Sequence, residues 1–399
     1  MRSSWHLVKI GDVCCVIAGQ SPQGNFYNDQ GQGLPFYQGK KLFGEKFIRT
    51  PTTWTTHVTK EAQAGDILLS VRAPVGPINF STEKICIGRG LAAIRTLDLV
   101  DRNFLFYVLL FKQKEISGNE GAVFASINKK QIEEIEIPLP SLEEQKRIVA
   151  ILDEAFSGID TAIANTEKNL ANARELFESY LNSVFIQKDT VWNEVALEEH
   201  VKFIDYRGKT PKKTETGLRL ITAKNVRMGY LQREPEEFVN PDTYDSWMTR
   251  GIPKKHDVLF TTEAPLGLVC QLDTDEKVVL AQRIITMQAD REVIDPSFLS
   301  FVLRSALLQS RIHEKGTGAT AKGIKASLLK KITIPLTGLS EQKKIVEKLE
   351  LLQSETKRLE IIYQQKLNSL KELKQSLLQK AFSGELTAKP DKLIDENVA

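Results

Sequence analysis

The chain has 399 residues, of which 41% are hydrophobic and 26% are charged, and its formal net charge is +3. This composition is typical of a folded protein with more than one hydrophobic core, and it excludes a disordered scaffold. No apolar run approaches the roughly 20 residues that a membrane span needs. Charged Lys9 and Asp12 interrupt the amino-terminal stretch where a signal peptide would lie. The sequence therefore predicts a soluble, cytoplasmic protein without membrane contact.

Residues 1–141 are predicted to form a mixed α/β domain. The run Asp66–Val71 is short, apolar and bounded by turn residues, as a buried strand should be, and Phe104–Leu109 has the pattern of a short helix. The segment Ala73-Pro74-Val75-Gly76 predicts a turn, because proline fixes φ and glycine accepts positive φ.

Residues 142–186 are predicted to form one long helix. Ser141 lies where its N-cap belongs, and Glu144 occupies the capping-box position. Apolar residues recur at alternating steps of three and four, which is the heptad seam of a coiled coil. The predicted seam consists of Val149, Leu152, Phe156, Ile159, Ile163, Thr166, Leu170, Ala173, Phe177, Tyr180 and Val184.

The same order of elements then repeats. Residues 187–338 contain a matching strand, Asp257–Thr261, and a matching turn, Ala264–Gly267. Residues 339–385 are predicted to form a second long helix with Ser340 as its N-cap and a phase shift of the apolar seam near Ile361–Tyr363. Residues 386–399 are predicted to form a tail. The seam expected in this helix consists of Ile345, Leu349, Leu352, Leu359, Tyr363, Leu370, Leu373 and Leu377.

The repeat is also visible in the amino-acid sequence itself, because the passage that begins at Ile137 recurs in the same register from Ile334. An internal repeat of this kind determines how the whole fold is assigned. We predict an α+β fold with a pseudo-twofold internal repeat. Two homologous mixed α/β domains are separated by a long antiparallel two-helix coiled coil, which acts as a spacer between them.

Charge and cysteine content add two expectations. Residues 1–141 and 187–333 carry a small excess of Lys and Arg, whereas residues 142–186 are acidic, so a polyanion would meet the two domains rather than the first helix. The cysteines at positions 14, 15, 86 and 270 show no Cys-x-x-Cys spacing, and the five histidines show no metal-ligand spacing. We expect buried free thiols and no metal site.

Four passages resemble the conserved regions of type I restriction-modification specificity (S) subunits, namely Pro140–Val149, Asn169–Leu176, Leu339–Val346 and Leu378–Leu386. The resemblance covers essentially the whole chain. It implies target-recognition domain 1 at residues 1–141, a central conserved helix at 142–186, target-recognition domain 2 at 187–338 and a carboxy-terminal conserved helix at 339–385.

The resemblance also implies a function. Each target-recognition domain would bind one half of a bipartite, asymmetric site in double-stranded DNA. The helices would set the unread gap and dock two methyltransferase (M) subunits, with up to two restriction (R) subunits as further partners. It implies no cofactor in this chain, S-adenosylmethionine in the M subunit, and ATP and Mg in the R subunit.

The sequence contains none of the motifs of a catalytic subunit. It lacks the Asn/Asp-Pro-Pro-Tyr/Phe element of adenine methyltransferases and the GxxxxGK[ST] phosphate loop. Pro241-Asp242 and Asp275-Glu276-Lys277 superficially match a nuclease pattern, but nothing comparable occurs in the other copy. We therefore predict a non-catalytic protein with no catalytic residues.

Candidate DNA-binding residues are polar or basic side chains at glycine- or proline-marked loops. Arg and Lys donate to guanine, Asn and Gln bind adenine edges, and hydroxyl groups hold phosphates. In the first domain the candidates are Gln20, Ser21, Gln23, Gln38, Lys40, Lys41, Arg72 and Arg89. In the second they are Arg207, Lys209, Thr210, Lys212, Lys224, Asn225, Arg227, Gln282 and Arg283.

Each candidate taken singly can also be a solvated surface residue. Tyr37, Tyr206 and Tyr230 lie nearby in sequence and can either stack on bases or pack in the core. Glu263 stands where the first copy has Arg72. We expect this carboxylate to pair with a neighbouring cation rather than to accept from cytosine.

Two alternatives remain open. A structural coiled-coil adaptor whose paired domains bind protein or another polyanion would show weak DNA affinity with a shallow salt dependence. A stand-alone nuclease or methyltransferase would turn over substrate by itself, and the missing motifs disfavour it.

Overall fold

The computed structural model describes residues 5–118, 126–186, 192–206, 210–281, 283–318 and 322–388. The chain divides into two compact units. The first comprises residues 1–166 and 365–399, and the second comprises residues 167–364. Each unit therefore combines one predicted domain with part of both long helices. Among the described residues, no helix has the length and apolar character that crossing a membrane would require.

The first unit contains short strands and helices followed by the beginning of a long helix. Its helices are α1 (Ile10–Val13), α2 (Arg102–Phe111), α3 (Gln113–Ser117), α4 (Lys129–Glu133) and the first part of α5 (Leu142–Ile186). Its strands are β1 (His6–Lys9), β2 (Cys14–Ala18), β3 (Tyr27–Asn28), β4 (Leu34–Tyr37), β5 (Trp54–Thr55), β6 (Glu61–Ala62), β7 (Ile67–Ser70), β8 (Ile78–Phe80), β9 (Ile85–Ile87), β10 (Leu91–Thr96) and β11 (Glu136–Leu139).

The second unit repeats this order. Its helices are α6 (Leu197–His200), α7 (Tyr244–Trp247), α8 (Pro296–Arg304), α9 (Ala306–Lys315), α10 (Ala326–Lys330) and the first part of α11 (Leu339–Ser383). Its strands are β12 (Asn193–Ala196), β13 (Val201–Asp205), β14 (Lys213–Thr214), β15 (Leu218–Ile221), β16 (Val226–Arg227), β17 (Tyr230–Leu231), β18 (Phe238–Val239), β19 (Val258–Thr261), β20 (Val269–Gln271), β21 (Val278–Leu280), β22 (Ile284–Ala289) and β23 (Thr333–Leu336).

The main sheet has the same topology in both units. An antiparallel sheet has the strand order β2-β10-β7-β8 in the first unit and β13-β22-β19-β20 in the second. A parallel pair, β4 with β9 or β15 with β21, belongs to a second sheet in each unit. Strands β1 and β11, like β12 and β23, close each domain just before its long helix. The predicted internal repeat and fold class are therefore confirmed.

The matched turns also form as predicted. Gly76 and Gly267 adopt φ values of 108° and 89°, a region that side chains with a Cβ rarely enter. The proline of each turn follows a cis peptide bond, at Ala73-Pro74 and Ala264-Pro265.

In each unit a short helix packs its aromatic face against the long helices. Phe104 of α2 lies 5.7 Å from Phe382 of α11, and Phe298 of α8 lies 5.7 Å from Phe185 of α5, measured between ring centroids. All four side chains are buried. Burial of one such side chain contributes about 1.5–3 kcal/mol, so these contacts fix each domain on its helical segments.

The seam predicted in α5 forms with one correction. Its members are buried or half-buried except Tyr180, which is 36% exposed, and fully buried Leu181 takes its place. The phase shift predicted in α11 is wrong, because polar residues occupy seam positions and hide the regular spacing. The buried or half-buried positions run at alternating steps of four and three through Val346, Leu349, Gln353, Thr356, Glu360, Tyr363, Leu367, Leu370, Lys374, Leu377 and Ala381.

The charged residues at these seam positions have partners. In the first unit Lys374 pairs with Asp160 of α5, and Thr387, just past α11, donates to Glu144. Low α5 numbers thus meet high α11 numbers, which makes the helical segments antiparallel. In the second unit Glu360 accepts from Arg174 at 3.0 Å, in the same register. Polar seam residues specify register at some cost in stability.

The helix starts differ between the copies. Ser141 is the N-cap of α5, since its Oγ accepts the Glu144 amide at 3.3 Å. Ser340 is not an N-cap, because α11 already begins at Leu339 and the Gly338 carbonyl accepts the Gln342 amide at 3.0 Å. The thiols need a correction too, because Cys15 is exposed while Cys14, Cys86 and Cys270 are buried.

A fully buried glutamine joins each long helix to its domain. The Gln145 Nε2 donates to the carbonyls of Pro140 (2.9 Å) and Leu99 (3.0 Å), and its Oε1 accepts the Asp101 amide at 2.8 Å. Gln342 repeats this pattern with Thr337, Val293 and Asp295 at 2.7, 2.9 and 2.9 Å. Asp101 and Asp295 in turn cap α2 and α8. One side chain therefore connects the starts of two helices.

A second buried group differs between the copies. Asp66 is buried and accepts two hydrogen bonds from Arg95, at 2.9 and 2.7 Å. The equivalent Asp257 is also buried but faces Gln288, whose Nε2 donates to it at 2.6 Å. Burial accordingly raises the pKa of the Asp257 carboxyl, although the Lys254 amide and Gln288 oppose the rise.

Replacing Gln342 by methionine should destabilise the second unit by at least about 3 kcal/mol. The change leaves one amide and two carbonyls buried without partners, at about 1–3 kcal/mol each. Hydrogen exchange of the α8 amides under native conditions measures the loss. Lys343→Met, on the exposed face of the same turn, is the matched control and should change stability by about 0.5 kcal/mol or less. Equal protection in both variants would contradict the role given to Gln342.

Replacing Gln288 by arginine should stabilise the second unit at neutral pH by about 1–3 kcal/mol, because the guanidinium supplies the partner that Asp66 already has. A raised folded pKa means that the native Asp257 holds its proton to higher pH than the unfolded chain. Its contribution to stability is therefore greatest below the unfolded pKa and falls as pH rises through the folded pKa. Gln288→Arg should abolish this fall.

Hydrogen exchange of the β19 amides between pH 4 and pH 7, corrected for intrinsic exchange, measures this dependence. Arg95→Gln is the reciprocal control, and it should introduce the same fall into β7. A pH dependence of β19 that is unchanged by Gln288→Arg would refute the assignment to Asp257.

Candidate nucleic-acid interface

A cleft opens on the domain of each unit beside the matched Ala-Pro turn. In the first unit the cleft has a volume of ≈ 270 Å³ and lies between the ends of β4 and β7 and the β9–β10 loop. Four predicted residues meet there. The lining consists of Gln38, Gly39, Lys40, Ser70, Arg72, Ala73, Arg89 and Gly90.

Two glycines shape this first cleft. A Cβ added to Gly90 would lie 2.2 Å from the Gln38 carbonyl oxygen, and one added to Gly88 would lie 3.1 Å from the Gln38 Cα. Only residues without a side chain allow this close approach. Between them, the Arg89 amide donates to Ser21 Oγ at 3.3 Å, while the Arg89 side chain is exposed. The glycines therefore bring Arg89 next to Gln38.

The other candidates of the first domain do not line the cleft. Gln20, Gln23 and Lys41 are exposed, and Ser21 is half-buried beneath Arg89. Lys41 lies on the short 3₁₀ turn Lys40–Leu42, of which only Lys40 belongs to the cleft lining.

The cleft of the second unit has a volume of ≈ 410 Å³ and brings together four predicted residues, Thr210, Lys224, Arg227 and Arg283. Lys212 is exposed outside its lining. Arg207, Lys209 and Gln282 lie outside the described residues. The complete lining is Thr210, Lys213, Thr222, Ala223, Lys224, Arg227, Pro235, Glu237, Ala264, Pro265 and Arg283.

Asn225 does not belong to this exposed set. It is 1% exposed, and its Nδ2 donates to the carbonyls of Pro235 (3.0 Å) and Arg233 (3.2 Å). Its Oδ1 accepts the Thr222 amide at 3.0 Å. With both ends of the amide bound to the backbone, Asn225 stabilises the loop and is not available to a base edge. We correct the prediction accordingly.

Two charged residues of the second cleft, Lys213 and Glu237, were not predicted. Lys213 donates to Glu237 at 2.7 Å, and Lys224 lies 3.7 Å from the same carboxylate. The hydrogen bond from Lys213 lowers the pKa of Glu237, so the carboxylate stays charged. Neighbouring residues of an extended chain point to opposite sides, which is why Lys213 reaches the cleft and Lys212 does not. The sequence alone gave no reason to choose between them.

The same backbone contact places both clefts. The Val71 amide donates to the Gly90 carbonyl at 3.0 Å, and the Thr262 amide donates to the Arg283 carbonyl at 2.9 Å. Arg72 is therefore the structural equivalent of Glu263, and Gly90 is the equivalent of Arg283. The expected pairing of Glu263 with a cation is present, because its Oε1 lies 3.2 Å from Arg283 Nε.

Two of the three tyrosines pack rather than face solvent. Tyr37 is buried and donates to the Arg49 carbonyl at 2.8 Å, and burial raises its pKa to about 12. Tyr206 is buried and donates to the Gly251 carbonyl at 2.9 Å. Only Tyr230, which is 57% exposed, remains open to stacking.

Asp275, which the superficial nuclease pattern includes, forms an ion pair of 3.4 Å with Lys255. Lys277 lies 5.1 Å from the ring centroid of Tyr244. Within the described ranges, no three His, Cys, Asp or Glu side chains are grouped in a way that could hold a metal ion.

A sequence profile described as the type I restriction modification DNA specificity domain matches residues 2–172 and again residues 192–372. The chain belongs to this family. The two matches coincide with the two halves of the internal repeat. As a type I specificity subunit, the chain provides the DNA sequence specificity of a restriction-modification system and is not its catalytic component.

Individual relatives agree with this assignment. The putative type I restriction enzyme MjaX specificity subunit of Methanocaldococcus jannaschii is 46% identical over 148 residues, 36% of this chain and 35% of that relative. The MjaVIII specificity subunit of the same organism is 27% identical over 372 residues, 87% of this chain and 85% of that relative.

The fold is also similar to that of a solved chain from work on complex assembly and conformational transition of the type I R-M system. The TM-score is 0.79 at 19% identity, over 97% of this chain and 99% of the other. At this identity the likeness shows the fold alone.

Replacing Gly90 by alanine should destabilise the first cleft by about 1–3 kcal/mol, because the added Cβ would overlap the Gln38 carbonyl. Hydrogen exchange of the β9 and β10 amides measures the effect. Gly39→Ala is the matched control in the same cleft, since its added Cβ meets no atom within 4 Å. If Gly90→Ala costs no more than Gly39→Ala, the close approach does not define the cleft.

Proposed function

We propose that both clefts contact double-stranded DNA and that each reads one half of a bipartite, asymmetric site. The observation that carries the proposal is the duplication of one cleft on two domains with different linings. Equivalent backbone contacts place them and each presents one lysine, Lys40 or Lys224, yet the first also presents Gln38, Arg72 and Arg89 while the second presents Lys213, Arg227 and Arg283. Different side chains on equivalent scaffolds would read different base sequences.

The chemistry of the linings supports contact with DNA. Guanidinium and amide groups form bidentate hydrogen bonds to guanine and adenine edges in the major groove. Lysines and exposed hydroxyls bind phosphates, which sets register and orientation without reading sequence. The exposed candidates outside the clefts, Gln20, Gln23, Lys41 and Lys212, would contact phosphates, which glutamine amides as well as lysines can bind.

The long helices would set the distance between the two half-sites. Each has 45 residues, and each contributes to both compact units. We assign residues 1–141 and 187–338 to the two target-recognition domains, residues 142–186 and 339–385 to the conserved helices, and residues 386–399 to a tail.

The reaction chemistry would come from partner subunits. Two methyltransferase subunits using S-adenosylmethionine would dock on the helices, and up to two restriction subunits using ATP and Mg would join them in the cytoplasm. This chain would bind no cofactor itself.

Selection from a DNA library by the complex of this chain with its methyltransferase subunit tests the proposal. We expect one motif of two short half-sites separated by an unread gap of fixed length. Affinity should also fall steeply as salt rises, because phosphate contacts release counterions. Selection of a single uninterrupted motif, or of none, would refute the bipartite reading. A shallow salt dependence would favour the adaptor alternative.

The same assay tests the spacer. Removing one heptad from α5 and one from α11 shortens both helices and preserves the seam periodicity. We expect the gap to shorten while both half-site sequences stay the same. The full-length complex, measured in parallel, is the control. Altered half-site preferences with an unchanged gap would contradict the spacer role.

A further inference from the structure

The two copies carry different side chains at the same backbone contact. In the first cleft the turn after β7 carries Arg72, and the equivalent residue of the β9–β10 loop is Gly90. In the second cleft the turn after β19 carries Glu263, and the loop position carries Arg283. A carboxylate has thus replaced an arginine on the turn, and an arginine has replaced a glycine on the loop.

Arg283 occupies an unfavourable backbone conformation. Its φ is 65°, in the left-handed region where a residue with a Cβ pays about 1–2 kcal/mol. Its carbonyl is held there by the amide of Thr262 at 2.9 Å and by the hydroxyl of the same residue at 3.3 Å. Residues held in such conformations cluster at functional sites, where the side chain is needed at that position.

The side chain of Arg283 is directed by Glu263. The ion pair joins Glu263 Oε1 to Arg283 Nε at 3.2 Å, and both side chains remain about half exposed. A guanidinium held at Nε can still present its two terminal nitrogens end-on. Guanine offers the matching pair of acceptors, O6 and N7, at its major-groove edge.

We propose that Arg283 reads a guanine in the second half-site and that Glu263 is its positioning residue. This inference rests on the proposed DNA-reading function and adds one base identity and two residue roles to it. The first domain would solve the same task differently, because Gly90 has no side chain and Arg89 and Arg72 supply its guanidinium groups.

Library selection with the complex of this chain and its methyltransferase subunit tests the proposal, using Arg283→Gly, Arg283→Lys and Glu263→Gln. Arg283→Gly should reduce the guanine preference at one position of the second half-site by roughly 5- to 150-fold. Arg283→Lys should reduce it by a smaller factor, because lysine can donate to guanine but lacks the planar guanidinium fork. Glu263→Gln should reduce it at the same position by roughly 2- to 5-fold. The first half-site is the internal control and should not change.

Two further measurements separate base reading from other roles. Arg283→Gly should not lower the thermal unfolding midpoint, because glycine adopts positive φ freely. The salt dependence of binding should keep its slope, since a lost phosphate contact would reduce the slope by about one and leave base preferences intact.

Unchanged second-half preferences in both Arg283 variants would overturn the inference while leaving the bipartite function in place. Loss of a cytosine preference in Glu263→Gln alone would assign base reading to Glu263 and also overturn it. If the unmodified complex selects no split motif, the proposed function fails, and this inference fails with it.

Discussion

The structure depends on the way one buried glutamine in each copy holds a long helix to its domain. Gln145 and Gln342 satisfy the same set of buried backbone groups: a carbonyl two residues before the long helix, a carbonyl in the loop before α2 or α8, and the amide of that helix's capping aspartate. An apolar residue there would leave all of these groups unpaired at a high cost in free energy. The repeated passages that begin at Ile137 and Ile334 therefore preserve a junction, and the junction fixes where each long helix starts.

With that junction fixed, the two domains are free to differ at their clefts. The shared parts are backbone features: the parallel strand pair, the Ala-Pro turn, and the amide-to-carbonyl contact of Val71 or Thr262. Most of the side chains around these features differ, although both linings contain a lysine, Lys40 or Lys224, and the alanine of the turn. A scaffold of this kind would let one set of backbone hydrogen bonds position two different sets of side chains, as the proposed reading of two half-sites requires.

The copies also differ in how they stabilise buried charge. Asp66 has an arginine hydrogen-bond partner, whereas Asp257 is hydrogen-bonded to the Gln288 amide and the backbone, and burial raises the pKa of the Asp257 carboxyl. The seam of α11 contains Gln353, Glu360 and Lys374 where α5 is mostly apolar. Each of these three has a partner within its own unit, at Arg304, Arg174 and Asp160. These pairs would favour one helix register over its neighbours, because a shift would separate the partners.

The sequence by itself determined the internal repeat, the family, the two mixed α/β domains and the first residue of α5. These depend on periodicity, turn residues and recurring passages, which are local properties of the chain. Only the tertiary structure decided that Asn225 is buried and that Lys213, not Lys212, reaches the cleft. It also decided that Arg283 is equivalent to Gly90, and that polar residues complete the α11 seam. Each of these depends on which atoms lie opposite a side chain, and those atoms come from distant parts of the sequence.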